Sequence, residues 1–161
     1  MGAGKVLILI GGIVTLVSLF FLTLIGGLAD SHYYGLGFIF NLPDIFSDAD
    51  LIATGWGEEV MIVYILAIVF IVVLISGILQ LVGLASRPVA IIGSILPIIM
   101  AILIILIRFD ILEDWEKFLS LFYEDSIVDG ILPFNIELGD ISLGTYTLLA
   151  GGVLGLIGGI I

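Results

Sequence analysis

The residue types that could do chemistry in this chain are few, and their spacing limits them further. Asp44, Asp48 and Asp50 could gather around a hard cation such as Ca2+, whose preferred ligands are carboxylate and carbonyl oxygens. The calcium-loop pattern, with its glycine and terminal glutamate at set spacing, is absent, and the three residues equally suit a solvated acidic surface. His32 is the only histidine and there is no cysteine. Within one chain these counts exclude a multi-histidine metal site, a thiolate site, a disulfide and a cysteine nucleophile. No G-x-S-x-G, Walker loop or G-x-G-x-x-G occurs, and Gly35-Leu36-Gly37 runs into aromatic residues, not into a phosphate-binding turn. The sequence predicts no catalytic residue, no metal ligand, no cofactor and no small-molecule substrate. The chain is read as non-enzymatic.

The elements around these residues belong to a membrane protein. Of 161 residues, 61% are hydrophobic and 12% charged, whereas soluble domains average about 45–50% apolar and about 25% charged. A hydrocarbon core of about 30 Å needs roughly 20 apolar residues as a helix. Four stretches qualify as spans: 6–28, 60–84, 89–107 and 141–161. The expected fold is an all-α integral membrane bundle of four helices, one domain over 1–161, with outer loops at 30–59 and 108–140. Closed β-barrels are the other spanning solution, but their alternation is missing. Pro88 suits the first turn of the third helix, so the second and third spans form a tight hairpin.

The first stretch has a rival reading, because Gly27-Leu28-Ala29 resembles a signal-peptidase site. Signal cores run about 7–15 apolar residues, and this one is longer. An uncleaved first span is expected.

Charge sorts the two ends. All fifteen carboxylates lie in the connections 30–59 and 108–140, and the net charge is −11. Lys5 and Arg87 stand apart from every acid in the sequence, which by the positive-inside rule puts both termini in the cytoplasm and both long loops outside the cell membrane. Arg108 and Lys117 lie among acids on the outer side. An acidic balance argues against nucleic acid as a partner, since phosphates need Lys and Arg. No span holds an ionisable residue in its interior, so the usual mark of a pump or proton relay is missing. Gln80 is the costliest polar residue there, with an amide expected to bond a neighbouring helix or headgroup water.

Small residues predict how the spans pack. Gly151, Gly155 and Gly159 repeat every four residues on one helix face, and Gly11 and Thr15 repeat likewise in the first span. Two readings stand: packing of the first against the last span within one bundle, or a seam between copies. Pro97 is expected to kink the third span near Gly93.

On the outer side, Ile111, Leu112, Trp115, Phe118, Leu119 and Phe122 recur at helical spacing with acids opposite. This predicts one amphipathic helix over 110–124, lying at the membrane boundary or offered to a partner. Asp129-Gly130 is a two-residue hairpin signal. In the first loop Pro43 is expected to open a short helix with Ile45, Phe46 and Leu51 turned inward, and Tyr33, Tyr34 and Trp56 to lie near the interface.

A short N-terminus, a long first outer loop, a tight inner turn and a second outer loop resemble the layout of claudin-like and tetraspan proteins across the whole chain. The motif residues differ: Gly55-Trp56-Gly57 is the nearest match to the claudin Gly-Leu-Trp, and the cysteines of both families are missing. The opening KVLILIGGIVTLVSLFF resembles uncharacterised archaeal four-span proteins. The resemblance implies a layout and no site residue. The functional expectation is assembly, adhesion or contact through the acidic outer loops, as a homo-oligomer or a subunit of a membrane complex. The alternative is a small oligomeric channel with a cation-attracting mouth.

Overall fold

The computed structural model describes residues 2–25, 31–128, 131–139 and 141–161. The chain is mostly helical and, among those residues, its strands form two short two-stranded ribbons. In order the elements are α1 (Ala3–Phe21), β1 (Ser31–Tyr33), α2 (Gly35–Ser47), α3 (Ala49–Trp56), α4 (Val60–Leu74), α5 (Ser76–Val82) and α6 (Arg87–Arg108). There follow α7 (Glu116–Leu119), β2 (Tyr123–Asp125), β3 (Glu137–Leu138), β4 (Ile141–Ser142) and α8 (Leu143–Ile160).

Helices α1, α6 and α8 are each long and apolar enough to cross a membrane. A fourth candidate is α3 with α4, two helices bent by 106° at their junction. From α4 the helical path runs on into α5, because Ile75 N–H still bonds Ile71 O (3.1 Å) and Leu79 N–H bonds Ile75 O (2.9 Å). Around the bundle, α1 packs on α8, α8 on α6, α6 on α5, and α5 back on α1. Residues 2–5, residues 83–87, Gly158 and Ile161 come together at one end, lining an open cleft of about 420 Å3. Arg87 Nη2 donates to Ile161 O there (3.1 Å).

The outer surface of this bundle is apolar, as a water-soluble bundle's would not be. Ile10, Ile13 and Val17 of α1, Ile65 and Ile68 of α4, Ile92, Ile99 and Ile102 of α6, and Val153 and Ile157 of α8 are exposed. Inside, by contrast, Thr15, Ser18, Ser76, Gln80, Ser94 and Thr145 are fully buried. In water, large aliphatic groups go inside because leaving them wet costs about 1.5–3 kcal/mol each.

Glycine makes the interior close. A Cβ at Gly11 would lie 2.6 Å from Gly155 N and 2.7 Å from Gly151 O; one at Gly151 would lie 2.7 Å from Thr15 Oγ1. Backbone therefore packs on backbone between α1 and α8, which hydroxyls reinforce: Ser18 Oγ donates to Thr147 Oγ1 (2.7 Å), and Thr145 Oγ1 to Leu24 O (2.8 Å). Toward the other end the core coarsens to Leu19, Phe38, Phe70, Ile104 and Phe122.

Three sequence expectations need correction. The first helix stops at Phe21, and Leu22–Ile25 runs on extended beneath the loops. Thr23 N–H bonds Phe134 O (3.1 Å), Leu24 N–H bonds Tyr33 O (2.9 Å), and Gly144 N–H bonds Thr23 O (3.2 Å). An unbroken apolar run reads the same as helix or as buried strand, so only these partners reveal the end. Residues 26–28 of the expected span, with the Gly27-Leu28-Ala29 site, lie outside the described residues.

The expected single helix over 110–124 is broken. Asp110 takes a left-handed conformation (φ 56°), and the chain then makes a 3-10 turn (Glu113–Trp115), the one-turn α7, a second 3-10 turn (Ser120–Phe122) and strand β2. Leu119, Leu121 and Phe122 are all buried. Burial at 121 as well as at 119 and 122 does not follow a 3.6-residue period, so tertiary packing has overridden the local pattern.

In the first loop, Pro43 sits inside α2 rather than opening it. Ile45 is buried, but Phe46 and Leu51 are exposed. The Asp129-Gly130 turn lies outside the described residues; Val128 and Leu132 on its flanks form a bridge.

Candidate functional site

The two long connections fold together into one cap over the end of the bundle where the core coarsens. Strand β1 from the first pairs antiparallel with β2 from the second, His32 opposite Glu124 and Tyr33 opposite Tyr123. Asn41 of α2 clamps the same seam: its Nδ2 donates to Leu121 O (3.1 Å) and Tyr123 O (2.9 Å). Lys117 Nζ donates to Glu58 Oε1 (2.8 Å) and Trp56 O (3.2 Å), and lies 5.2 Å from the centre of the Phe118 ring. Arg108 pairs with Glu116 (3.4 Å), fastening the end of α6 to α7.

Aromatic rings fix the cap to the bundle. Phe122 stacks on Phe38 (5.0 Å between centroids), and both meet Phe70 of α4 edge-on, at 4.7 and 5.7 Å. Trp56 and Trp115 both meet Phe118 edge-on, at 5.2 and 5.6 Å. Such pairs add about 0.5–1.5 kcal/mol each beyond their burial. Tyr34 is fully buried and donates its hydroxyl to Asp125 O (2.7 Å). Burial above all raises the Tyr34 phenol above its usual range, and Glu124 and Asp125 add to the shift. Tyr33 is raised in the same way, first by burial and then by Glu116 and Tyr123, with Arg108 opposing.

The predicted interaction residues therefore separate. Ile111 (64% exposed) and Trp115 (44%) face outward, Leu112 and Phe118 are half-buried, and Leu119 (3%) and Phe122 (1%) belong to the core. Between α1 and α8, Gly11 meets Gly151 and Gly155, and Thr15 meets Gly151; the side of Gly155 where a Cβ would stand faces Gln80 and Ser94, and that of Gly159 faces Ile91. All five spend their close approach inside the chain. A cleft of about 440 Å3 opens between α2, α3 and the second connection, lined by Asn41, Asp44, Ile52, Trp56, Ser120 and Tyr123 among others. Among the described residues no three His, Cys, Asp or Glu side chains come close enough to hold a metal, Asp44, Asp48 and Asp50 included.

Sequence reasoning missed Asn41 and Phe38, which close the cap, and it placed Tyr34 near the membrane interface, whereas Tyr34 is fully buried with its hydroxyl on Asp125 O. Asn41 did carry a signal, a lone amide in the apolar run FIFNLP. Gln80 satisfies one of its two expectations: its Nε2 donates to Thr15 Oγ1 (3.0 Å) and to Gly93 O (3.3 Å), bridging helices.

Comparison with protein-family profiles, curated proteins and solved structures finds no match to this chain.

Proposed function

We propose that the chain is a four-span protein of the cell membrane, with its termini inside and both acidic connections outside, and that its cap makes contacts rather than performing chemistry. The apolar outer surface of the bundle supports the membrane placement, since its three long apolar helices expose isoleucines and valines that lipid would cover, while glycines and hydroxyls pack the helices together. The observation that carries the contact role is the cap surface. Ile111, Trp115, Ile127 and Ile131 stand exposed in a connection pinned by ribbon, amide clamp and ion pairs, and Asp114 and Glu116 of the same connection are exposed as well. Exposed apolar groups rimmed by charge mark interaction surfaces. The partner is a second copy of the chain or another subunit of a membrane complex, in the manner of claudin-like layouts. The channel reading draws nothing from the single bundle, whose axis is filled by glycine contacts, so a conducting path would have to form between copies.

Particle mass tests this reading. Ile111→Asp with Trp115→Asp adds charge to the cap surface without touching any span. Wild type in mild detergent should run as an assembly, and the double variant should shift toward single chains while keeping its helical signal. A wild-type monomer, or a variant assembly unchanged in mass, would count against it.

A further inference from the structure

We infer that α2, although part of an outer connection, is embedded in the outer leaflet with one face against lipid. The inference rests on the membrane placement proposed above. Its geometry comes from what α2 touches. A Cβ at Gly35, the first residue of α2, would lie 2.5 Å from Leu19 O in the last turns of α1 and 2.7 Å from Leu74 Cδ2 at the far end of α4. One turn on, Phe38 meets Phe70 (5.7 Å); near its end, Phe46 stacks on Tyr64 (5.9 Å). Helix α2 thus runs back alongside α4, from its last turn to its first. Phe70 lies ten residues into α4, about 15 Å along its axis at about 1.5 Å per residue. The outward side of α4 over that length is Met61, Ile65 and Ile68, all exposed. A lateral helix beside that surface meets the same solvent.

The faces of α2 match this position. Phe38 and Ile45 point into the core. Asn41 and Asp44 line the open cleft. Ile39, Pro43 and Phe46, at i, i+4 and i+7, form an exposed stripe free of charge, continuous with α4 through the Phe46–Tyr64 stack. The junction from α3 into α4 then turns by 106°, so α3 does not continue the line of α4. The occupant of the stripe is the acyl and glycerol region of the outer leaflet.

The chain has no cysteine, so single spin labels test this in the intact protein in phosphatidylcholine vesicles. Labels at Ile39→Cys and Phe46→Cys are compared with Ile68→Cys on α4 and Asp44→Cys on the cleft side. Collision with oxygen should exceed collision with a water-soluble nickel chelate several-fold at 39, 46 and 68, and the order should reverse at 44. Nickel access at 39 and 46 with protection at 68 would overturn the embedding and leave the membrane placement standing. Nickel access at 68 as well would bring both down. Protection at 39 and 46 from both quenchers would mean that protein, not lipid, covers the stripe.

Discussion

The carboxamide oxygen of Gln80 faces the backbone of Gly155, so closely that a Cβ at 155 would stand 2.5 Å from it. Among the described residues the oxygen has no N–H or O–H partner, and the side of Gly155 where a Cβ would stand is turned toward it. The other end of the same amide holds Thr15 and Gly93. One side chain of α5 therefore touches α1, α6 and α8, and the missing side chain at 155 makes room for it.

Gly155→Ala should accordingly lower thermal stability by about 1–3 kcal/mol, the usual cost of overpacking a tight interior. Gly55 in α3 is the control, because a Cβ there meets nothing within 4 Å. Gly55→Ala should be neutral or mildly stabilising, by up to about 1 kcal/mol from helix propensity. Melting curves of the two variants in one detergent compare them; equal losses would mean that the Gln80–Gly155 approach is not a constraint.

The second connection offers a sharper contrast between two aromatic residues that look alike in sequence. Phe122→Ala removes a buried ring from the Phe38–Phe70 cluster and should cost about 3–5 kcal/mol, freeing the cap to early proteolysis. Trp115→Ala removes an exposed ring whose contact is Phe118, and should change stability by no more than about 1 kcal/mol. Limited proteolysis with a melting curve for each variant separates them. A destabilised Trp115→Ala beside an intact Phe122→Ala would restore the single amphipathic helix.

That contrast also marks how far the sequence is legible. Long apolar stretches between charges announce α1, α6 and α8, because hydrophobic length is a property of the chain itself. The glycine spacing announces which face of α8 packs, since a four-residue repeat survives any tertiary arrangement. The end of α1 at Phe21 and the breaks after Asp110 do not announce themselves. They are set by hydrogen bonds to the carbonyls of Phe134 and Tyr33 and from the N–H of Gly144, with partners more than a hundred residues away in two cases, and by the pull of Phe38 and Phe70 on Phe122. Asn41 closes the cap for the same reason: its acceptors, Leu121 and Tyr123, are distant in sequence.

Alkaline pH should loosen the cap. The Tyr33 and Tyr34 phenols are raised above the ordinary value of 10.0, chiefly by burial, so the folded cap holds their protons more tightly than the unfolded chain. Their contribution to stability is fully present below about pH 10 and is lost as pH rises through the folded values. Tyr34→Phe removes its share of this dependence, so the variant's melting temperature should fall less steeply above pH 10 than that of wild type. Parallel slopes would show that ionisation of Tyr34 is not linked to folding.

The most direct measurement of the membrane placement uses the cysteine-free chain again, now in sealed cells. An impermeant maleimide is applied to Asp48→Cys in the first connection, Asp114→Cys in the second and Ala85→Cys in the turn between α5 and α6, three exposed positions. Residues 48 and 114 should label in intact cells, and residue 85 only after permeabilisation. Labelling of 85 together with 48, or of 48 and 114 from opposite sides, would contradict a bundle that crosses the membrane four times beneath a single outer cap.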